Sequence, residues 1–166
     1  KVTKLIAEHL NKTKANITTL PFPPENIDMQ YFYWNSYKVI PSYTYQINLT
    51  QSIDLINKNV DPKTRNLIKK ATKDGLTVEQ NFDNSLVEEI VLKTMERNSV
   101  NVDNEILKNI LYKFSTDKNS FSFITKKDGE PLAVTFCIYN KNQCYYILGG
   151  YDSEKSHSGA GPLAVW

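Results

Sequence analysis

Three apolar runs near the carboxyl end, separated by very short turns, constrain the fold of this chain more than any other feature. The runs are 121–124, 132–139 and 143–148. They are rich in the β-branched and aromatic residues that favour strands. Asp128-Gly129 predicts a primed two-residue turn after the first run, and 140–142 provide the next turn. Because turns this short join only antiparallel neighbours, we expect a three-stranded meander over 119–150.

Length and charge narrow the class of protein. The chain has 166 residues, of which 40% are hydrophobic and 23% are charged, and this is the size of one globular domain. The net charge is +2, so bulk attraction to nucleic acid or an anionic membrane is not indicated. No apolar run approaches the roughly 18 residues that a membrane-spanning helix needs. Any anion-binding site must therefore be local.

The cysteines and histidines do not form a metal-binding pattern. Cys137 and Cys144 belong to no CxxC pair, and His9 and His157 lack the spacing of zinc ligands. We expect buried free thiols in a reducing compartment, with a disulfide or a metal site as the alternatives. The sequence thus predicts a cytoplasmic protein without a metal.

The strongest helical signal lies in the middle of the chain. Asp61 suits a helix N-cap, Pro62 suits the first helical position and Gly75 suits the end. At 100° per residue one arc of this helix is apolar and the opposite arc is basic. The basic arc comprises Lys63, Arg65, Lys69, Lys70 and Lys73. We predict that Arg65 and Lys69 contact an anionic substrate, although a solvated face is the alternative.

Periodicity and turn residues predict the remaining elements. Strands are expected at 16–24, before a proline-rich turn, and at 43–49 and 76–82. Helices are expected at 2–10 with Val2, Leu5, Ile6, His9 and Leu10 on one face, from a capping box at Ser85–Glu88, over 106–114, and after 158–162. Both ends look cut, because the chain opens inside a helical repeat and closes on an apolar run that begins a helix.

Residues 28–43 carry an unusual load of aromatic side chains. They include Tyr31, Phe32, Tyr33, Trp34, Tyr37 and Tyr43. A strand or loop packed across the core is one interpretation. The other is the wall of a ligand pocket, since Trp and Tyr combine a large apolar face with a polar tip. On that interpretation Trp34 and Tyr37 contact the substrate.

A strand, a loop of small residues and a helix start follow one another near the carboxyl end. Gly149-Gly150 predicts a bulge or a close backbone approach. Gly159-Ala160-Gly161 then opens the last helix, where free amides and the absence of side chains suit an anion. We predict that these three residues bind cofactor phosphates.

His157, beside these glycines, is a candidate base or anion contact, with a solvated loop residue as the alternative. The tyrosines at the end of the meander and Asp152 could supply a general acid, although core packing also explains them.

The order of these segments resembles the GNAT acyltransferase superfamily, and in detail its FemAB-like branch, which resembles the aminoacyl-transferring enzymes of peptidoglycan bridge synthesis. The segments that carry the resemblance are 43–49, 65–71, 75–78, 145–152 and 159–166. The pyrophosphate loop of the family reads Arg/Gln-x-x-Gly-x-Gly/Ala. Gly159 and Gly161 match its two small positions, and Ser156 stands at its first.

The resemblance implies a mixed α/β, GNAT-like fold with a mostly antiparallel central sheet flanked by helices, incomplete at both ends. Residues 1–42 would be the tail of a preceding GNAT-like half. Residues 43–166 would be a GNAT-like acyltransferase domain truncated at its carboxyl end, with its catalytic residues unassigned.

The resemblance also implies a bacterial N-acyltransferase. Its donor would be acetyl-CoA, another acyl-CoA or aminoacyl-tRNA, and its amine acceptor would be a small molecule or a peptidoglycan precursor. Two alternatives stand beside it: a non-catalytic GNAT-like binding module, and a module that binds tRNA or other nucleic acid through the basic helix 62–74.

Overall fold

The computed structural model describes residues 2–13, 16–25, 28–155 and 157–166. They form two compact units, Lys1–Gln51 and Ser52–Trp166. The assignment of residues 1–42 to a preceding GNAT-like half stays a prediction. In the described ranges no helix is both long and apolar enough to span a bilayer.

The first unit contains two short helices, α1 (Val2–Leu10) and α2 (Gln30–Trp34). Ala7 and Phe32 are buried in it, and the Phe32 ring lies 5.2 Å from that of Phe22. The predicted helix α1 is confirmed, but its predicted inner face is wrong: Val2 and Leu5 are 69% and 62% exposed. The buried side runs through Ala7, because the short α2 covers only that side.

The strands predicted at 16–24 and 43–49 are wrong. The described residues of both segments form irregular backbone, and Tyr43 and Tyr45 are fully exposed. The prolines of the first segment lack a donor for a ladder. The alternating pattern of the second segment is only a local preference for strand. Among the described residues of this unit no strand pairs with it. The aromatic segment 28–43 forms α2 and loop, not a strand.

The second unit is built on a four-stranded antiparallel sheet in the order β1-β2-β3-β4. Its strands are β1 (Thr77–Asn81), β2 (Ser120–Lys127), β3 (Glu130–Tyr139) and β4 (Cys144–Tyr151). The predicted meander and the strand at 76–82 are therefore confirmed. Asp128 and Gly129 both have positive φ, 51° and 83°, as a primed turn requires.

Helices cover both faces of this sheet. The unit begins with α3 (Ile53–Asn59), which buries none of its residues, and the helices packed on the sheet are α4 (Pro62–Lys73), α5 (Asn84–Arg97), α6 (Asn104–Lys108), which continues as a π-helical segment (Asn109–Phe114), and α7 (Ala160–Val165). The prediction of a mixed α/β fold, with a mostly antiparallel sheet flanked by helices, is confirmed.

The predicted caps hold for α4 and fail for α5. Asp61 accepts a hydrogen bond from the Thr64 amide at 2.9 Å, and Gly75 follows the helix with a φ of 83°. In α5 the N-cap is Asp83, which accepts from the Ser85 amide at 2.8 Å, so the capping box at Ser85 is wrong. An aspartate two residues upstream already satisfies that amide.

The helix predicted at 106–114 changes its geometry halfway. Leu107 and Leu111 are buried as expected, but Ile106 and Phe114 are largely exposed. The π-helical segment turns fewer degrees per residue than an α-helix. Residues spaced for a 3.6-residue turn therefore do not stay on one face through this segment. The expected inner face is therefore wrong at both of its ends.

The two faces of the sheet are packed with different side chains. The α5 face holds a cluster of large residues: Val87, Ile90, Val91, Leu107, Leu111, Ile124, Val134 and Phe136. The opposite face, between the sheet, α4 and α7, holds mostly small ones: Ala71, Leu76, Leu132, Ala133, Ala160 and Ala164. This second set of residues is called the small-residue cluster below.

Candidate functional site

β4 is the last strand in the sheet order, and none of the strands described pairs with its outer edge. One extra residue, Ile147, interrupts its pairing with β3, because Phe136 opposes Leu148 while Cys137 opposes Tyr146. The bulge predicted at Gly149-Gly150 is wrong in place, because both glycines pair in register with β3 and the extra residue lies two positions before Gly149. A bulge beside an open edge bends the strand and exposes backbone groups to a ligand.

The backbone at the end of β4 alternates between the sheet and the open edge. The Tyr151 amide donates to Thr94 Oγ1 at 3.0 Å, and the Tyr151 carbonyl accepts from Arg97 at 3.2 Å. Tyr151 therefore turns its backbone away from β3. Two residues earlier, the alternation places the amide and carbonyl of Gly149 on the same outer edge. An edge amide of this kind can donate to a ligand carbonyl.

The glycine pair at the end of β4 permits two close approaches. A Cβ on Gly150 would lie 2.7 Å from the Ile90 carbonyl oxygen, so α5 packs directly on the strand backbone. At Gly149 the hydroxyl of Tyr146 occupies the space that a side chain would need. The predicted close backbone approach is confirmed at Gly150, whereas the neighbour at Gly149 is a side chain.

Tyr146 presents its ring to solvent while its hydroxyl end is tucked against Gly149. Burial, and next the neighbouring Cys137, raise the pKa of Tyr146. The phenol is therefore protonated at neutral pH and can donate a hydrogen bond.

Asp152 shapes the turn that follows β4. Its amide donates to the Leu132 carbonyl at 2.8 Å, and its carboxylate accepts from the Glu154 amide at 2.9 Å. Burial alone would raise the pKa of Asp152, but the amides of Glu154 and Lys155 and the charge of Lys93 lower it. Asp152 is an ionised turn residue, which does not suit the role of general acid.

The predicted phosphate loop offers one amide, not three. Ser156 lies outside the described residues. The Gly159 amide donates to His157 Nδ1 at 3.1 Å, and the Ala160 amide donates to the His157 carbonyl at 2.9 Å. The Gly161 amide donates to no group in the described part of the chain, and a Cβ on Gly161 would meet nothing within 4 Å. Because α7 has only six residues, its dipole adds little to this amide.

Gly159 is required by packing. A Cβ on it would collide with the Leu67 carbonyl oxygen and lie 2.8 Å from the Cβ of Ala71, so the loop rests directly on α4. Gly159 and Ala160 therefore shape the loop, and Gly161 is the residue that faces open space.

His157 is neither a free base nor a solvated residue. Its side chain is 14% exposed, Nε2 lies 3.0 Å from Oδ2 of Asp74, and Nδ1 accepts from Gly159. Both ring nitrogens are therefore committed, and the roles of base and anion contact are wrong. The sequence analysis missed Asp74, because its carboxylate is recognisable only once the fold brings it to a residue 83 positions away.

Arg65 and Lys69 do not converge on the glycine loop. α4 turns Leu67 and Ala71 toward Gly159, whereas Lys69 lies about 160° and Arg65 about 120° around the helix from Ala71. Lys69 is exposed and Arg65 is partly buried. They form a basic arc on the outer side of α4.

The two aromatic candidates belong to the first unit. Trp34 ends α2 and is 69% exposed. Tyr37 is partly buried, its ring lies 5.6 Å from that of Phe32, and its hydroxyl donates to Asn11 Oδ1 at 2.6 Å. Trp34 is thus open to a ligand, while Tyr37 serves the packing of this unit.

Both cysteines are free thiols. Cys137 is half-buried and Cys144 is exposed, so the expected burial is wrong for Cys144. Burial, with the adjacent Cys144, raises the pKa of Cys137 to about 12, which keeps this thiol protonated and unreactive. No group of metal-ligating side chains occurs within the ranges that the structure describes.

The chain matches a known family. The family model described as an acetyltransferase (GNAT) domain matches residues 63–166. This span runs from α4 to α7 and includes the edge of β4 and the glycine loop. The chain matches no curated protein.

Proposed function

Because the chain belongs to the acetyltransferase (GNAT) domain family, we propose that it moves an acyl group from a carrier held at β4 to an amine acceptor. The family match over residues 63–166 is the observation that carries this proposal. The outer edge of β4 at Gly149 and the free amide of Gly161 support it, because both offer hydrogen-bond donors to a ligand.

The proposed donor is acetyl-CoA or another acyl-CoA, which supplies a thioester carbonyl. The Gly161 amide contacts its phosphates, with Gly159 and Ala160 holding the loop. The Gly149 amide donates to the acyl oxygen. Negative charge develops on that oxygen as the amine attacks, so a donor fixed in advance stabilises the transition state.

Tyr146 is the proposed proton donor. As the amine nitrogen bonds to the carbonyl carbon, the carbon–sulfur bond breaks and a thiolate leaves. The raised pKa of Tyr146 keeps the phenol protonated until then. The phenol gives its proton to the thiolate and regains one from the amine through solvent. A hydroxyl tucked against Gly149 is well placed for this step.

A FemAB-like version of the reaction is the finer proposal. The basic arc, in which Lys69 is exposed and Arg65 is partly buried, favours a polyanionic donor such as aminoacyl-tRNA, with a small amine or a peptidoglycan precursor as acceptor. Trp34 stays a proposed ligand contact of the first unit. The proposed location is a reducing compartment such as the bacterial cytoplasm, and two free thiols agree with a reducing compartment.

The experiment uses the full-length protein with two donors, acetyl-CoA and aminoacyl-tRNA, and a panel of amines. We expect release of free CoA that depends on an amine. Tyr146→Phe should lower kcat about 100-fold, since general acid catalysis is worth this much. Tyr145→Phe is the matched control, because the neighbouring Tyr145 hydroxyl bonds Gln143 instead.

Two results would contradict the proposal. Binding of acetyl-CoA without turnover for any amine would favour the non-catalytic binding module. Transfer from aminoacyl-tRNA that is insensitive to salt and survives charge reversal of Arg65 and Lys69 would remove the basic arc from the mechanism.

A further inference from the structure

The two cysteines of the chain lie on neighbouring strands of the sheet. Cys137 on β3 pairs with Tyr146, and Cys144 on β4 pairs with Tyr139. Side chains two positions apart on a strand share a face, so both thiols lie on the same face of the sheet, one diagonal apart. The extra residue of β4, Ile147, lies beyond both pairs and does not disturb them. The Cys144 side chain is accordingly a hydrogen-bond partner of Cys137.

The two thiols differ in their access to solvent. Cys144 is exposed, whereas Cys137 is half-buried, with Phe121 of β2 and Tyr146 of β4 as its partners in the sheet. Burial, with the adjacent Cys144, raises the pKa of Cys137 to about 12, so Cys137 stays protonated. An oxidant in solution therefore meets Cys144 first, and Cys137 lies in contact with it as a second sulfur.

The diagonal placement of the thiols suits a disulfide that forms and breaks. Diagonal residues of an antiparallel pair have Cα atoms about 7–8 Å apart, whereas a disulfide prefers about 5.5–6 Å. Closing the bond therefore draws β3 and β4 together locally and strains it. Strained or exposed disulfides are opened readily by thiol reductants, whereas structural disulfides resist them.

We propose that Cys137 and Cys144 form a reversible oxidation site, in which a hydroperoxide oxidises Cys144 and Cys137 then closes a disulfide between β3 and β4. In the first step the Cys144 sulfur attacks one oxygen of hydrogen peroxide, the O–O bond breaks, and a sulfenic acid and one water form. In the second step the Cys137 sulfur attacks the sulfenic sulfur, the S–O bond breaks, and the thiol proton leaves with the hydroxyl group as a second water. The two thiols lose two electrons and two protons, and the peroxide takes up both.

The disulfide also acts on the proposed proton donor. Tyr146 lies opposite Cys137 and two residues from Cys144, with its hydroxyl against Gly149. A shift of β4 at Cys144 displaces this hydroxyl, and a small misplacement of a reacting group slows catalysis strongly. Oxidation should therefore lower kcat at least about tenfold, and dithiothreitol should restore it. This effect rests on the proposed function, whereas the disulfide itself does not.

Peptide mapping of the oxidised full-length protein tests the pairing. Trypsin cleaves after Lys141 and so places the two cysteines in separate peptides, 128–141 and 142–155. After treatment with hydrogen peroxide, we expect these two peptides to be joined, with no disulfide-linked dimer on a non-reducing gel. Dithiothreitol should separate the peptides and restore both free thiols.

Two serine variants assign the steps. Cys137→Ser should stop at a sulfenic acid on Cys144, which dimedone captures. Cys144→Ser changes only an exposed position and is the matched control: it should leave Cys137 reduced, without the loss of turnover that dithiothreitol reverses. Phenylarsine oxide condenses with two adjacent thiols and releases water, so it should bind the wild type tightly and neither variant.

The outcomes decide separate points. If peroxide leaves both thiols free, joins cysteines of two different molecules, or takes Cys144 to a sulfinic acid without a link, the inference is overturned. If the wild type transfers no acyl group to any amine, the proposed function fails, but peptide mapping still decides the disulfide. If the disulfide forms and turnover does not change, the oxidation site stands and its effect on Tyr146 is wrong.

Discussion

The two faces of the sheet in the second unit are packed by different interactions. The α5 face excludes water with large side chains such as Phe136 and Leu111, which interdigitate and tolerate no cavity. The face toward α4 and α7 is lined with alanines and lets backbones approach, as Gly159 does on Leu67. The first face buries the larger side chains, and the second fixes the position of backbone groups.

Directed hydrogen bonds reinforce the small-residue face. The hydroxyl of Thr125 donates to the Ala160 carbonyl, and that of Thr135 donates to the Ala164 carbonyl, each at 3.0 Å. Both threonines are buried. Such bonds fix α7 in register on the sheet, whereas apolar contacts alone would let it slide. The comparison teaches that the stability of this unit and the placement of its candidate site are carried by opposite faces.

The largest expected effect tests the apolar face with two adjacent residues. Leu107→Ala empties a buried position and should lower the free energy of unfolding by about 3 kcal/mol. Ile106→Ala, on the same helix, should cost much less, because Ile106 is 57% exposed. Denaturant unfolding of both variants measures the difference. Equal losses would show that α6 does not pack as described.

The next largest expected effect tests the close packing of Gly159 on α4, on the small-residue face of the sheet. Gly159→Ala adds a methyl group against α4 backbone and should lower stability by roughly 2 kcal/mol, as overpacking does. In the same loop, Gly161→Ala points a methyl group into open space and should leave the melting temperature unchanged. If the Gly159→Ala variant is as stable as the wild type, the loop does not pack directly on α4, and the proposed difference between the two faces is wrong.

A smaller effect is expected from the buried threonine hydroxyls. Thr125→Val and Thr135→Val each remove a buried hydrogen bond to α7 and should cost about 1 kcal/mol. The exposed Thr77→Val, in the edge strand β1, is the control and should be neutral. If the buried variants are also neutral, apolar packing alone holds α7.

The smallest effect is a pH dependence at the start of α5. Hydrogen bonds from the Ser85 hydroxyl and amide lower the pKa of Asp83 from 3.8. A carboxyl group with a lowered pKa contributes stability above its unfolded value, and this contribution is lost as the pH falls below about 4. Asp83→Asn keeps the cap but cannot titrate, so urea unfolding should show a flatter acid limb than that of the wild type. If the stability of Asp83→Asn falls as steeply at acid pH as that of the wild type, other groups cause the loss of stability.

Local rules predicted much of the second unit and little of the first. The turn at Asp128-Gly129 and the cap at Asp61 act within a few residues, so the meander and α4 followed from the sequence. The strand predicted at 43–49 failed because strand propensity is realised only against a partner. The predicted inner face of 106–114 was wrong because no local sequence signal indicates the π-helical segment.

The candidate site was predictable in place but not in geometry. The order of segments located the glycine loop and the bulged end of β4. Which amide of the loop stays free depends on two sets of contacts. His157 contacts Asp74 and Gly159, and Gly159 packs directly against α4. These contacts join residues far apart in sequence, so no pattern along the chain reveals them.

Amide resonances followed during a titration with acetyl-CoA test the central proposal most directly. The open edge of β4 and the glycine loop together should hold the donor. The amides of Gly149 and Gly161 should therefore shift together with one Kd, while that of Gly159, already bonded to His157, should move little. If acetyl-CoA binds but leaves Gly149 and Gly161 unchanged, the donor does not lie at this edge and the proposed chemistry there is wrong.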